Sequence, residues 1–133
     1  LKIFAESLKN LNLKKALILC SQDGLDEISP YAKTDIVELS NGNIKEFELN
    51  PNDLGINANN FSDIVGRESE YNSAKIKEVF NGKDNDFSVA ICLNAAAGLI
   101  VSEKSETFKD GYEKLRKHIL SGGVMKHISK FIK

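Results

Sequence analysis

Apolar residues keep helical time from the first position: Leu1, Phe4, Leu8 and Leu11 recur every three or four residues, which predicts an amphipathic helix over residues 1–12. No Ser, Thr, Asp or Asn precedes it as a cap, and the chain begins at Leu1 without Met, as expected of a piece of something longer. Then comes Ala16-Leu17-Ile18-Leu19-Cys20, whose lack of polar alternation predicts a strand buried on both faces. Helix followed by buried strand suggests a parallel α/β sheet. The strand empties into Ser21 to Pro30, a polar loop at a strand's carboxyl end, where open α/β sheets place their ligands.

Residues 35–39 and 44–49 read as a hairpin, because Asn41-Gly42 supplies the two positive-φ positions of a type I′ turn. A two-residue turn sets Glu38 opposite Lys45 and Leu39 opposite Ile44. Pro51 to Gly55 can start and stop one short turn, and the Asn-rich stretch 56–63 reads as surface loop.

From Ser69 onward the pattern is helical. Ile76, Val79 and Phe80 form a stripe ended by Asn81-Gly82, and the Ala-rich segment 87–101 is apolar almost all round, as a central buried helix is. Phe108, Tyr112, Leu115 and Ile119 mark a third helix stopped at Gly122-Gly123, with Val124, Ile128 and Phe131 continuing a fourth. The Lys-rich end, residues 126–133, suits a helix carboxyl terminus.

Composition narrows the function classes. With 133 residues, 41% hydrophobic and 28% charged, the chain is one ordinary globular domain with a core that needs no metal or disulfide. A net charge of −1 gives no field to attract nucleic acid or an acidic membrane, so neither is expected as a partner. Only Arg67 and Arg116 are arginines, few for gripping phosphates through bidentate forks. Cys20 and Cys92 lie in apolar runs and read as buried thiols in a reducing, cytoplasmic setting. The stretch 87–101 is too short and interrupted for a membrane span of about 20 residues.

Candidate chemistry concentrates in Gly24-Leu25-Asp26-Glu27-Ile28-Ser29. Adjacent carboxylates at a strand's mouth can share a hard cation; magnesium suits them best, since it takes one or two carboxylates and completes its shell with water and phosphate oxygens. The alternative is a solvated charge pair, with Asp23 beside it as a turn former. Asn72 reads as a helix cap and Asn94 as a buried amide bonded to backbone. His118 and His127 have no metal spacing, and no Ser has a His with an acidic partner nearby.

Several separated motifs together carry a resemblance. Asp23-Gly24-Leu25-Asp26-Glu27-Ile28-Ser29, residues 34–39, the Asn41-Gly42 turn, Phe47-Glu48-Leu49-Asn50-Pro51 and Asp53-Leu54-Gly55 follow in order. Asn72-Ser73, Leu93-Asn94-Ala95-Ala96, Gly111 and Ser121-Gly122 come after them. In order and spacing the chain resembles the carboxyl-terminal part of the anthranilate phosphoribosyltransferases. The resemblance implies an α/β fold of the phosphoribosyltransferase and nucleoside-phosphorylase type: here a carboxyl-terminal fragment, residues 1–133, of that α/β domain, a buried strand plus hairpin packed with several helices.

It further implies transfer of phosphoribosyl from phosphoribosyl pyrophosphate to anthranilate in tryptophan biosynthesis, with pyrophosphate released and Mg2+ as cofactor. The metal-holding pair of the family maps onto Asp26 and Glu27. The family's amino-terminal helical domain, glycine-rich diphosphate loop, Lys-His-Gly-Asn stretch and anthranilate-binding arginine match nothing here, so the chain alone is expected to be inactive. The complete enzyme is expected to be a homodimer. Departures are Ser21, where members commonly carry His, and Gly66-Arg67, where they carry a glycine pair. A pyrimidine nucleoside phosphorylase-like enzyme and a non-catalytic binding module of the same fold remain alternatives.

Overall fold

In the computed structural model, which describes residues 1–131, the first helix α1 is Lys2–Asn10, followed by strands β1 (Lys15–Ser21), β2 (Thr34–Ser40) and β3 (Asn43–Leu49). Short 3-10 turns at Pro51–Leu54 and Phe61–Asp63 lead to α2 (Ser69–Phe80), α3 (Asp86–Val101), α4 (Phe108–Leu120) and α5 (Gly123–Ile128). The architecture is α/β, with helices around one three-stranded sheet in the order β1-β2-β3.

That sheet is antiparallel throughout, which corrects the parallel expectation. Residues 22–33 contain no helix, and a parallel return needs a crossover, usually helical, to carry the chain back to the same end of the sheet. The hairpin forms in the expected register, Glu38 opposite Lys45 and Leu39 opposite Ile44, with Asn41 and Gly42 at φ 48° and 81°. The turn over Pro51–Leu54 ends at Gly55 in the left-handed region, as its sequence suggests.

β1 is only half-buried and Cys20 is exposed, against the expectation of a strand covered on both faces. β1 pairs with β2 alone. α1 packs on β1 and β2, its Lys2 pairing with Glu46 of β3 at 2.9 Å, and leaves Cys20 uncovered. Within α1 only Ala5 is buried; Phe4 stays 67% exposed, and Leu11, just past the helix end, 76%.

The alternation of strand side chains divides the core. Leu17, Leu19, Ile36 and Phe47 face the helical layer and join Cys92, Leu93, Ala96, Phe108 and Tyr112 in one cluster, while α1 lies over the other face of β1 and β2. α3 is the central buried helix that its composition predicts, started by a capping box between Asn85 and Ser88. α4 packs along it, with Gly111 buried at the contact with Ala96. Lys126 falls in the last turn of α5, whereas Ile132 and Lys133 of the Lys-rich end lie outside the described residues.

Candidate functional site

The loop after β1 is tied at its base. Ser21 N–H donates to the Leu25 carbonyl (3.0 Å) and Gln22 N–H to that of Lys33 (2.8 Å). Asp23 forms the expected turn through Oδ1, which accepts from Leu25 N–H at 3.3 Å, and also reaches across the loop. Its Oδ2 accepts from the hydroxyl of wholly buried Ser29 at 2.6 Å, and Ser29 Oγ accepts in turn from Tyr31 N–H. Burial pushes the Asp23 carboxyl up, but the hydrogen bonds from Ser29, Ser21 and the Leu25 N–H outweigh it and hold its pKa below the usual aspartate value.

Between these ties stand Asp26 and Glu27. Both are exposed, and among the described residues neither is engaged by a hydrogen bond or ion pair. Immediately beyond them the chain turns inward, with Ile28, Ser29 and Pro30 buried. Asp26 and Glu27 are the loop residues that could hold a hard cation through oxygen donors. No group of three or more His, Cys, Asp or Glu side chains gathers among the described residues, so an ion held here would complete its shell from water or substrate oxygens.

Asn94, the amide expected to bond to backbone, does so. Its Oδ1 accepts from Ile28 N–H at 2.8 Å, and Nδ2 donates to the Ile28 and Ala90 carbonyls, both at 3.0 Å. The loop and α3 then enclose an open apolar cleft of about 460 Å³, lined by Leu25, Glu27, Ile28, Phe87 and Ile91, with Ile64 opposite.

Asn72 is not the helix cap that its position suggests. The cap position of α2 is Glu68, and Asn72 reaches back to the Arg67 peptide instead, accepting from its N–H and donating to its carbonyl at 2.8 Å each. Fourth in the helix, it lies too far inside to reach the first free amides, but one turn from the incoming loop. Arg67 itself stacks over Tyr71, 4.7 Å from the ring centre. Ser21, the other departure from the family pattern, is buried, its hydroxyl donating to the Lys33 carbonyl at 3.3 Å.

Other chemistry has little footing. Burial pushes the Cys92 thiol up to about 11, away from nucleophilic use. Arg116 is bound to Asp84 at 2.6 Å. His118 and His127 fall on different helices, α4 and α5. No helix among the described residues is long and apolar enough to cross a membrane. The tie between Asp23 and Ser29 and the partner of Asn94 escape sequence reading; the one available signal is an amide placed within an otherwise apolar helix, which must find partners.

The motif resemblance is borne out over nearly the whole chain. It is 55% identical over 122 residues to an anthranilate phosphoribosyltransferase from Pelagibacter ubique, covering 92% of this chain and 37% of that protein. It is 37% identical to one from Methanobrevibacter smithii, over 98% of this chain and 39% of that protein. The chain thus spans little more than a third of the length of these curated relatives.

Solved structures agree. The crystal structure of an anthranilate phosphoribosyltransferase from Thermus thermophilus superposes with a TM-score of 0.83 at 23% identity, over 96% of this chain and 37% of that one, and supports the fold alone. That of the Saccharomyces cerevisiae enzyme, in complex with phosphoribosyl pyrophosphate and Mg, gives a TM-score of 0.76 at 27% identity, over 89% of this chain and 34% of that one. The sequence model of the glycosyl transferase family, a/b domain, matches residues 1–125, and the chain belongs to that family.

Proposed function

We propose that Asp26 and Glu27 hold Mg2+ in an enzyme that transfers phosphoribosyl from phosphoribosyl pyrophosphate to anthranilate, releasing pyrophosphate in a step of tryptophan biosynthesis. The observation that carries this reading is the pair itself: two exposed carboxylates, unengaged among the described residues, on a loop tied at both ends at the mouth of β1. The relatives named as anthranilate phosphoribosyltransferases, and the yeast structure with phosphoribosyl pyrophosphate and Mg, support it.

The donor set suits magnesium, which keeps several waters and binds through one or two carboxylates plus phosphate oxygens. When bound, such a cation neutralises the negative charge that gathers on the departing pyrophosphate. Asp26 and Glu27 fix where that positive charge stands, and the ties from Asp23, Ser29 and Asn94 keep the loop from giving way when a charged substrate arrives. The anthranilate contacts and the diphosphate cradle have no counterpart in this sequence, so this chain supplies the metal-binding part of the site and needs the remainder for turnover. The two free thiols suit a cytoplasmic enzyme.

The test uses the complete gene product and its Asp26→Asn/Glu27→Gln variant, following loss of anthranilate fluorescence with phosphoribosyl pyrophosphate over a range of magnesium concentrations. The parent is expected to consume anthranilate, and the variant to be crippled or to need far more magnesium. A folded parent that leaves anthranilate untouched rejects the activity, and unchanged magnesium dependence in the variant rejects the metal role.

A further inference from the structure

We propose that Asn94 is a positioning residue for the Asp26–Glu27 site, acting through the backbone of Ile28; the inference rests on the metal reading above. Asn94 lies half-buried in the middle of α3, in a helix whose buried residues are small or apolar apart from Ser88. An amide there is costly unless bonded, and this one commits both of its N–H donors and its carbonyl oxygen.

The three bonds divide the work. The bond to Ala90, one turn back in α3, fixes the rotamer of the Asn94 side chain on a rigid element. The other two grip Ile28 at its own N–H and its own carbonyl. A single bond would leave a hinge, whereas two fix both the place and the rotation of the backbone. Ile28 directly follows Glu27 and is 1% exposed, so the exit of the carboxylate pair is immobilised in the core. On the near side, the Asp23–Ser29 tie at 2.6 Å and the Ser21–Leu25 bond close the loop on itself. Two carboxylates that share one ion must keep their spacing, and groups that orient ligands from behind typically change metal affinity by about 10- to 100-fold.

Asn72 offers an internal control. It grips the Arg67 peptide by the same two-bond geometry, on a loop that carries neither Asp26 nor Glu27. Loss of either grip should loosen a loop, and only the loss of Asn94 should reach the metal.

The experiment measures Mn2+ binding to the complete protein by electron paramagnetic resonance, with pyrophosphate present, alongside thermal unfolding. Asn94→Leu removes all three bonds at similar volume. Asn94→Asp keeps the acceptor for Ile28 N–H while turning an anionic oxygen toward the Ile28 and Ala90 carbonyls. Mn2+ affinity is expected to fall about tenfold in both, and to stay at the parental value in Asn72→Leu even where its unfolding temperature drops as far. Parental affinity in a folded Asn94 variant overturns the proposal, as does an equal loss of affinity in Asn72→Leu. If Asn94→Leu fails to fold, Asn94→Asp decides by the same criterion. Parental affinity in Asp26→Asn/Glu27→Gln overturns the metal reading and this proposal together. Weakened binding in that variant with unchanged binding in the Asn94 variants overturns only the positioning role.

Discussion

Two loops flank the apolar cleft, and each is gripped by an asparagine at a single peptide, yet they are held from different depths. The loop after β1 is fixed by Asn94, 66 residues away in the sequence and seated in the buried central helix, and by a Ser29 hydroxyl with no exposure. The loop preceding α2 is fixed by Asn72, five residues from its target, and by Asp86 at the start of α3, which accepts from the N–H groups of Asn59 and Asn60. Stability differs across a fold according to how many buried contacts a segment shares. Only the first loop is tied to the middle of α3, and only that loop carries the adjacent carboxylates. A grip from the middle of the buried helix couples chemistry to packing, whereas grips at the starts of α2 and α3 shape a surface.

The largest losses are expected at α3. Leu93 is wholly buried beside Asn94, and Leu93→Ala should cost about 2–5 kcal/mol, as truncations of buried leucines do. Urea unfolding measures that loss, and a Mn2+ titration of the folded fraction should show weakened binding, since the platform of the first loop has moved. The far end of α2, the helix that the second loop leads into, is reached separately through Gly82, which follows the helix at φ +98°, where an added Cβ would meet the Leu120 carbonyl oxygen at 2.8 Å. Gly82→Ala should therefore cost about 1–3 kcal/mol of backbone strain while leaving Mn2+ affinity unchanged. An equal effect of both substitutions on the metal would show that the loops are one mechanical unit.

The same contrast explains what could be read from the residues alone. The hairpin register follows from Asn41-Gly42, because a two-residue turn leaves its neighbours no other pairing. Asp26-Glu27 is visible because strand, loop and motif coincide within a dozen residues. The direction of β2 against β1 was not legible: helix followed by apolar strand occurs in parallel and antiparallel sheets alike, and the deciding loop contains no pattern of its own. Exposure of Cys20 depends on where α1 crosses the sheet, a tertiary fact. Asn72 carries the signal of a cap and makes a different bond, since a cap and a grip on the incoming loop both begin with an amide near a helix start. The partner of Asn94 is invisible for the plainest reason, that contacts between distant segments leave no local pattern.

A smaller effect sharpens the picture on the first loop. The Asp23 carboxyl, held below its ordinary pKa by Ser29, Ser21 and the Leu25 N–H despite some burial, stabilises the fold when ionised. Its contribution is complete above the unfolded-state value of about 3.9 and is lost as the pH falls through the lower folded value. Asp23→Asn should therefore be less stable than the parent at about pH 6, with the difference shrinking below about pH 4. Urea midpoints across that range measure it, and a gap that stays constant on acidification would assign the effect to shape rather than charge.

The least change is expected at Arg67, at the start of α2. Its guanidinium stacks on Tyr71 at 4.7 Å, and the side chain is exposed, so the contact should contribute about 0.5–1 kcal/mol. Asn72 grips the backbone of this residue and not its side chain, so Arg67→Ala removes the stacking while leaving both hydrogen bonds in place. The expected outcome is a slight fall in the urea midpoint with Mn2+ affinity and magnesium dependence at their parental values. A loss well above 1 kcal/mol, or any change in metal binding, would mean that the surface loop takes part in shaping the metal site, and the division between a loop tied to the middle of α3 and one tied near a helix start would fail at its weaker end.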